Sequence, residues 1–192
     1  MFDVTAIGEL LIDMAQSGLS DIGSPIFEAN PGGAPCNVLA MLNKLGRRTA
    51  FIGKVGDDIF GQRLKNIVES TGTDIDGLVL DKDVRTTLAF VETDEHGDRS
   101  FSFYRAPGAD MMLREAEVDT DIIKHSRVLH FGTLSMTHEG VERATVKAVE
   151  AAKAAGALLS FDPNLRPPLW DSMDRARDKM SYGCSVSDTV KI

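Results

Sequence analysis

The chain has 192 residues, 43% of them hydrophobic, and a formal net charge of −8. That length suits one domain, or one domain with a small appendage. The acidic balance argues against a nucleic-acid partner, which needs clustered Lys and Arg, and no apolar run is long enough to predict a membrane span.

The N-terminus, MFDVTAIGELLIDM, carries acids where a signal peptide needs basic residues. Cys36 and Cys184 are too few and too far apart for a disulfide framework, which fits a reducing cytoplasm. DVTAIGELLID then reads as a short apolar strand with Asp13 at its C-terminal side. NPGGAPCNVLAMLNKLG, from residue 30, sets two glycines and Pro35 directly before a helix. Residues 48–55 form another strand. DDIFGQRLKNIVESTG is a helix: Asp57 or Asp58 caps it, Ile59, Leu64, Ile67 and Val68 recur at helical spacing, and Gly72 stops it.

Residues 84–105 change character. Two β-rich runs flank the turn DEHGD, and the strict alternation in SFSFY predicts a hairpin with one wet face. SRVLHFGTL is a strand. THEGVERATVKAVEAAKAAG is a helix with Thr137 as N-cap, Gly156 at its end and an apolar side from Val141 to Ala152. ALLSFDPN is nearly all apolar, as in a parallel sheet covered on both faces. DSMDRARDKMSYG is a further helix, and DTVKI starts a strand. Alternating strands and helices predict a right-handed, layered α/β sheet. The hairpin breaks that rhythm and is expected outside the sheet, as a flap over one end.

In open α/β sheets, ligands bind outside the carboxyl ends of the strands, where three polar clusters are expected. Asp13 is the first; its carboxylate can accept two sugar hydroxyls, or be a solvated strand-end acid. The 30–37 loop is the second. Gly32 and Gly33 permit positive φ and close approach, Pro35 suits a first helical position, and the helix start and Asn37 supply amides. Nothing acidic lies between Pro31 and Leu45, so a neutral polyol suits the loop; a plain loop-to-helix turn would read the same way. The third is FDPNLRPPLW, whose prolines stiffen the chain so that Asp162, Asn164 and Arg166 project from a strand end. Arg166 there can fork onto phosphate oxygens or pair with Asp162.

Tyr104 and Arg105 close the hairpin, where they can reach a ligand beneath the flap or serve flap packing. Asp110 reads as a turn acid. GKVGDDIFG also follows a strand and opens a helix, but Asp57 and Asp58 occupy the place a phosphate would take, so both are read as capping residues. Its spacing is not G-x-G-x-x-G, which argues against a dinucleotide-dependent oxidoreductase. His125, His130 and His138 match neither a zinc pattern nor a same-face helical pair.

Together these pieces carry a family. AIGELLIDM, NPGGAPCNVLAMLNKLGRRTAFIGKVGDDIFG, FSFYRAPGAD and LLSFDPNLRPPLW resemble the PfkB (ribokinase-like) carbohydrate kinases, most closely the bacterial fructokinases. The 2-keto-3-deoxygluconate kinases share parts of GGAPCN and FYRAPGAD. The resemblance covers nearly the whole chain. It implies a ribokinase-like layered α/β/α sheet with a small β lid from about residues 14–30 and 84–106. It also implies ATP-dependent phosphorylation of a sugar hydroxyl with Mg2+, fructose being the favoured substrate. On that reading Asp13, Gly32, Gly33 and Asn37 contact the sugar, and Tyr104 and Arg105 approach it from the lid. Asn164 and Arg166 sit toward the ATP phosphates. In relatives the lid often forms a dimer contact, so the resemblance also points to a homodimer through the lid. Cys36 stands where Ala is usual.

The family's second signature, Asp-Thr-x-Gly-Ala-Gly-Asp, does not occur. In the family its last Asp is the general base, and its Gly-Ala-Gly backbone is the anion hole for the transferred phosphoryl group. The expectation is therefore the N-terminal part of a kinase, C-terminal portion missing, with the catalytic base beyond residue 192. DTVKI would then leave an open sheet edge, with Val186, Val190 and Ile192 lacking a covering helix. The competing expectation is a non-catalytic sugar-binding or dimerising fragment.

Overall fold

The computed structural model describes residues 1–93 and 99–191; the DEHGD turn and Ile192 lie outside them. In chain order the strands are β1 (Phe2–Ile7), β2 (Leu11–Leu19), β3 (Pro25–Gly32), β4 (Thr49–Gly56), β5 (Asp74–Asp81), β6 (Leu88–Thr93), β7 (Arg99–Tyr104), β8 (Ser126–Gly132), β9 (Leu158–Asp162) and β10 (Thr189–Val190). The α-helices are α1 (Ala34–Lys44), α2 (Ile59–Ser70), α3 (Thr120–Lys124), α4 (Glu139–Ala154) and α5 (Met173–Val186).

Six strands make one all-parallel sheet in the order β10-β9-β8-β1-β4-β5. A parallel sheet needs both faces covered, because its strands are apolar on both. Neighbouring residues on a strand point to opposite faces, and two cores result. Ala6 and Phe51 pack with Leu39 of α1 and with Leu64 and Val68 of α2. Ile7, Ile52 and Phe131 pack on the other side with Val141, Ala144 and Ala148 of α4. Burying a side chain such as Phe51 or Phe131 contributes about 1.5–3 kcal/mol.

The second sheet, β3-β2-β6-β7, is the lid. Here β2 runs antiparallel to β3 and parallel to β6, which pairs antiparallel with β7.

Several local expectations change. DVTAIGELLID is two strands: β1 ends at Ile7, and β2 starts the lid at Leu11. Asp13 therefore sits on a lid strand, opposite Asn30 and Ala89, and not at the end of a core strand. Strand β5 has no counterpart in the sequence reading. Thr137 does not cap α4; His138 does, its Nδ1 accepting the Gly140 N–H at 3.3 Å. Pro35 is the second residue of α1, after Ala34. Helix α5 runs past Gly183 to Val186. Val186 and Val190 are partly buried against the core.

Asp58 is the N-cap of α2, accepting from Phe60 N at 3.0 Å and Gly61 N at 2.9 Å. It also accepts from the Thr86 backbone N and Oγ1, both at 2.9 Å, so it ties the helix start to the strand entering the lid. Burial pushes its carboxyl up, but these hydrogen bonds outweigh burial and hold it below its ordinary value.

Candidate functional site

The parallel strands end beneath the lid, and a cleft of about 270 Å³ lies between them. The strand ends supply Glu9 after β1, Leu134 after β8, Asp162, Asn164 and Arg166 at the end of β9 and Lys191 after β10. The lid supplies Leu11, Asp13, Phe101 and Phe103, and the start of α1 supplies Gly33, Ala34 and Asn37. Of the residues singled out in the sequence, Asp13, Gly33, Asn37, Asp162, Asn164 and Arg166 meet here.

Gly33 has φ 124°, a conformation an L side chain rarely adopts, and a Cβ there would strike the Glu9 carbonyl oxygen. Gly32 has no positive φ; it matters through close approach, since a Cβ would strike the Asp13 carboxylate. Among the amides at this helix start, Pro35 has none. The Ala34 N–H is taken by Glu9 Oε1 at 3.0 Å, and the Asn37 N–H goes to the Gly33 carbonyl at 3.1 Å. The first amide of α1 is thus already taken by the chain's own carboxyl group, which favours an uncharged ligand beside it.

Asp13 is partly desolvated, which raises its pKa; the Arg166 charge opposes that shift. Arg166 does not pair with Asp162. Its Nη1 donates to the Leu165 carbonyl at 3.1 Å, and its guanidinium lies 6.0 Å from the Phe101 ring centroid. Asp162 accepts from the Asn164 backbone N at 3.1 Å and from Lys191 Nζ at 3.0 Å. Asn164 has φ 32°, a left-handed backbone that Asn tolerates better than most residues. Phe101 and Phe103 stack at 6.0 Å with 13° between planes, presenting apolar rings to the cleft.

Tyr104 and Arg105 stand elsewhere. Tyr104 is on the lid's outer side against Phe90, with 5.2 Å between ring centroids, and is mostly exposed. Arg105 is buried: it pairs with Asp110 at 2.6 Å, donates to Thr137 Oγ1 at 2.9 Å and reaches the Leu134 carbonyl at 3.1 Å. Asp110, expected as a turn acid, is the buried partner in this bridge and also accepts from Thr87 Oγ1 at 2.5 Å. Such a pair fixes the base of the lid and leaves little of Arg105 to offer a ligand.

Glu9 went unremarked in the sequence. It is 4% exposed, and burial, with its own and Ala34's N–H as opposing donors, pushes its carboxyl up to about 7. The three histidines go to separate places: His125 to the Asp121 carbonyl, His130 to Ser160 Oγ, His138 to the α4 cap. Among the described residues no cluster of three or more His, Cys, Asp or Glu is arranged to hold a metal, and no helix is long and apolar enough to cross a membrane.

A parallel α/β sheet whose strand ends face a polar cleft under a β lid defines a layered, lidded fold of the ribokinase type. The chain belongs to the pfkB family of carbohydrate kinases, whose family model matches residues 1–192. It is 46% identical over 191 residues to a probable chloroplastic fructokinase-6 of Arabidopsis thaliana, covering 98% of this chain and 50% of that protein. A fructokinase from Xylella fastidiosa superposes with a TM-score of 0.92 at 36% identity, over 99% of this chain and 59% of the other; it has also been solved with bound ATP. A putative ribokinase II from E. coli, in complex with ATP and Mg2+, gives a TM-score of 0.87 at 30% identity, over 99% of this chain and 61% of that one. The chain spans about half the length of the first of these relatives.

Proposed function

We propose that this chain forms the sugar-holding side of an ATP-dependent kinase acting on a neutral sugar, with fructose the best substrate. The observation that carries the reading is the convergence of Asp13, Gly33, Asn37, Asn164 and Arg166 on one cleft beneath a lid. Asp13 accepts sugar hydroxyls from the lid side, and Asn37 offers an amide from the helix side. The Phe101 and Phe103 rings cover an apolar sugar face. Arg166, on the stiff segment after β9, faces phosphate oxygens together with Asn164. The fructokinase relatives and the ATP-bound neighbours support the substrate pair.

The cleft carboxylates do not fit Mg2+: Glu9 takes the Ala34 N–H, Asp13 faces Arg166, and Asp162 is held by Lys191. No step is therefore assigned to the ion here. The Gly-Ala-Gly-Asp signature that supplies base and anion hole in the family is absent from these 192 residues. The proposed division of labour is sugar binding by this chain and proton abstraction by polypeptide beyond it. The lid's outer side, where Phe90 packs against Phe27 and Tyr104, is the surface proposed for a homodimer contact. The cytoplasm is the proposed compartment, in keeping with two unpaired cysteines.

Calorimetric titration of fructose into the purified chain tests the sugar site. Asp13→Ala should weaken fructose binding by about tenfold or more, the equivalent of one good hydrogen bond to a charged group, with the melting temperature held. Equal affinity in the variant removes Asp13 from the site.

A further inference from the structure

Glu9 is a carboxylate in an unusual place. It follows the central strand β1, is almost wholly buried, and lies at the floor of the cleft directly under Gly33 and Ala34. Its backbone carbonyl occupies the space a Gly33 side chain would need, and its side-chain Oε1 accepts the first amide of α1 at 3.0 Å. One residue thus contacts the loop twice, from main chain and side chain. A second small recess of about 10 Å³, largely apolar in its lining, adjoins Glu9 and is shared with His130, Asp162 and Asn164.

We propose that Glu9 is the positioning residue of the sugar loop: its carboxylate, by accepting the Ala34 N–H, holds the Gly33–Ala34 backbone in the conformation that lines the cleft. This rests on the sugar-site reading above for its purpose, but not for its geometry. Nothing in the chemistry requires Glu9 to touch the sugar. Its work is to fix φ and ψ at a glycine that would otherwise wander, and to place Asn37 one helical turn further on. A carboxylate accepts more strongly than a carboxylic acid, so the loop is held more firmly when Glu9 is ionised.

Titratable and charged groups face Glu9 from several elements, Arg166 and Lys191 lining the same cleft. Cys36 lies on α1, and its thiol is pushed well up by burial and by the Glu9 charge. Asp110 and Arg105 face it from the base of the lid, already paired with each other. Asp13 shares the cleft, and His130 and Asp162 share the recess. Burial holds His130 below its ordinary value and partial burial holds Asp13 above its own, so a control that removes only the Glu9 titration is needed.

The test compares wild type, Glu9→Gln and Glu9→Ala in the 192-residue chain. The ¹⁵N-resolved Ala34 amide is followed from pH 5.5 to 8.5, and fructose affinity is measured at both ends of that range. In wild type the Ala34 signal should move with a midpoint near neutrality, as burial of Glu9 requires, and fructose should bind more tightly at the alkaline end. Glu9→Gln keeps an acceptor but loses the titration, so its Ala34 signal and its affinity should be flat with pH. Glu9→Ala should lose amide protection at Ala34 and bind fructose about tenfold more weakly, as expected for one charge-assisted hydrogen bond. If Glu9→Ala does not fold, the pH arm with Glu9→Gln decides alone. An Ala34 signal that titrates equally in wild type and Glu9→Gln, or equal protection and affinity in wild type and Glu9→Ala, overturns the proposal. Ala34 behaviour as described, with no fructose binding by any protein including wild type, supports the positioning role and sinks the sugar-site reading instead.

Discussion

At Glu9 the fold keeps a carboxyl group almost wholly out of water. Its pKa rises from an ordinary 4.5 to about 7. The unfolded chain therefore releases this proton before the folded chain does. Stability from Glu9 is fully present below pH 4.5, falls as pH rises and is gone above about 7. The span is worth about 3 kcal/mol. Urea unfolding at pH 5 and pH 8 should show Glu9→Gln gaining on wild type by an amount of that order at the alkaline end. Identical pH slopes in the two proteins would mean that Glu9 is solvated. Asp58 has the opposite sign, its pKa held low by four hydrogen bonds, so it stabilises at neutral pH and loses that contribution in acid. The pair shows why sequence reading caught one acid and missed the other. Asp58 precedes a helical pattern, and capping is a local rule. Glu9 acts through burial and a contact 25 residues away, neither of which leaves a local mark.

Among the elements, helices α2, α4 and α5 and strands β4, β8 and β9 were legible, because a covered parallel sheet writes apolar runs and amphipathic helices into the chain. The break between β1 and β2 was not, since Leu10, Leu11 and Ile12 keep the apolar run going while the backbone changes sheets. Strand β5, DIDGLVLD, was hidden by its Asp and Gly residues, which are poor strand formers. Arg105 and Asp110 were both singled out, yet their partnership depends on tertiary folding that no spacing rule describes. Two substitutions test these element-level ties. Asp58→Ala removes the α2 cap and the bond to Thr86, and should cost about 2–4 kcal/mol in urea unfolding, the sum of a lost cap and an orphaned buried amide. Arg105→Met leaves Asp110 buried without its cation, at a cost of about 3–5 kcal/mol. Adding Asp110→Leu should recover much of that loss if the pair is mainly structural. If the double variant stays as unstable as the single one, the loss came from packing.

For the whole molecule, the cleft is half of a working site on the reading proposed above. An ATP- and sugar-dependent ADP-release assay on the 192-residue chain should show no turnover, whereas turnover near that of an intact relative would place base and anion hole within these residues. The order of the large sheet has a further consequence. Strand β1, one of the two central strands, precedes both of its neighbours in the chain; they come from residues 49–52 and 126–131. During synthesis β1 can pair with β4 early but waits for residues 126–131 to emerge before its other flank closes. Residues 11–32, meanwhile, pair as a local hairpin whose outer partner, β6, comes later in the chain. A nascent chain halted near residue 100 should therefore leave the β8 flank of β1 unpaired, an edge that a chaperone can bind.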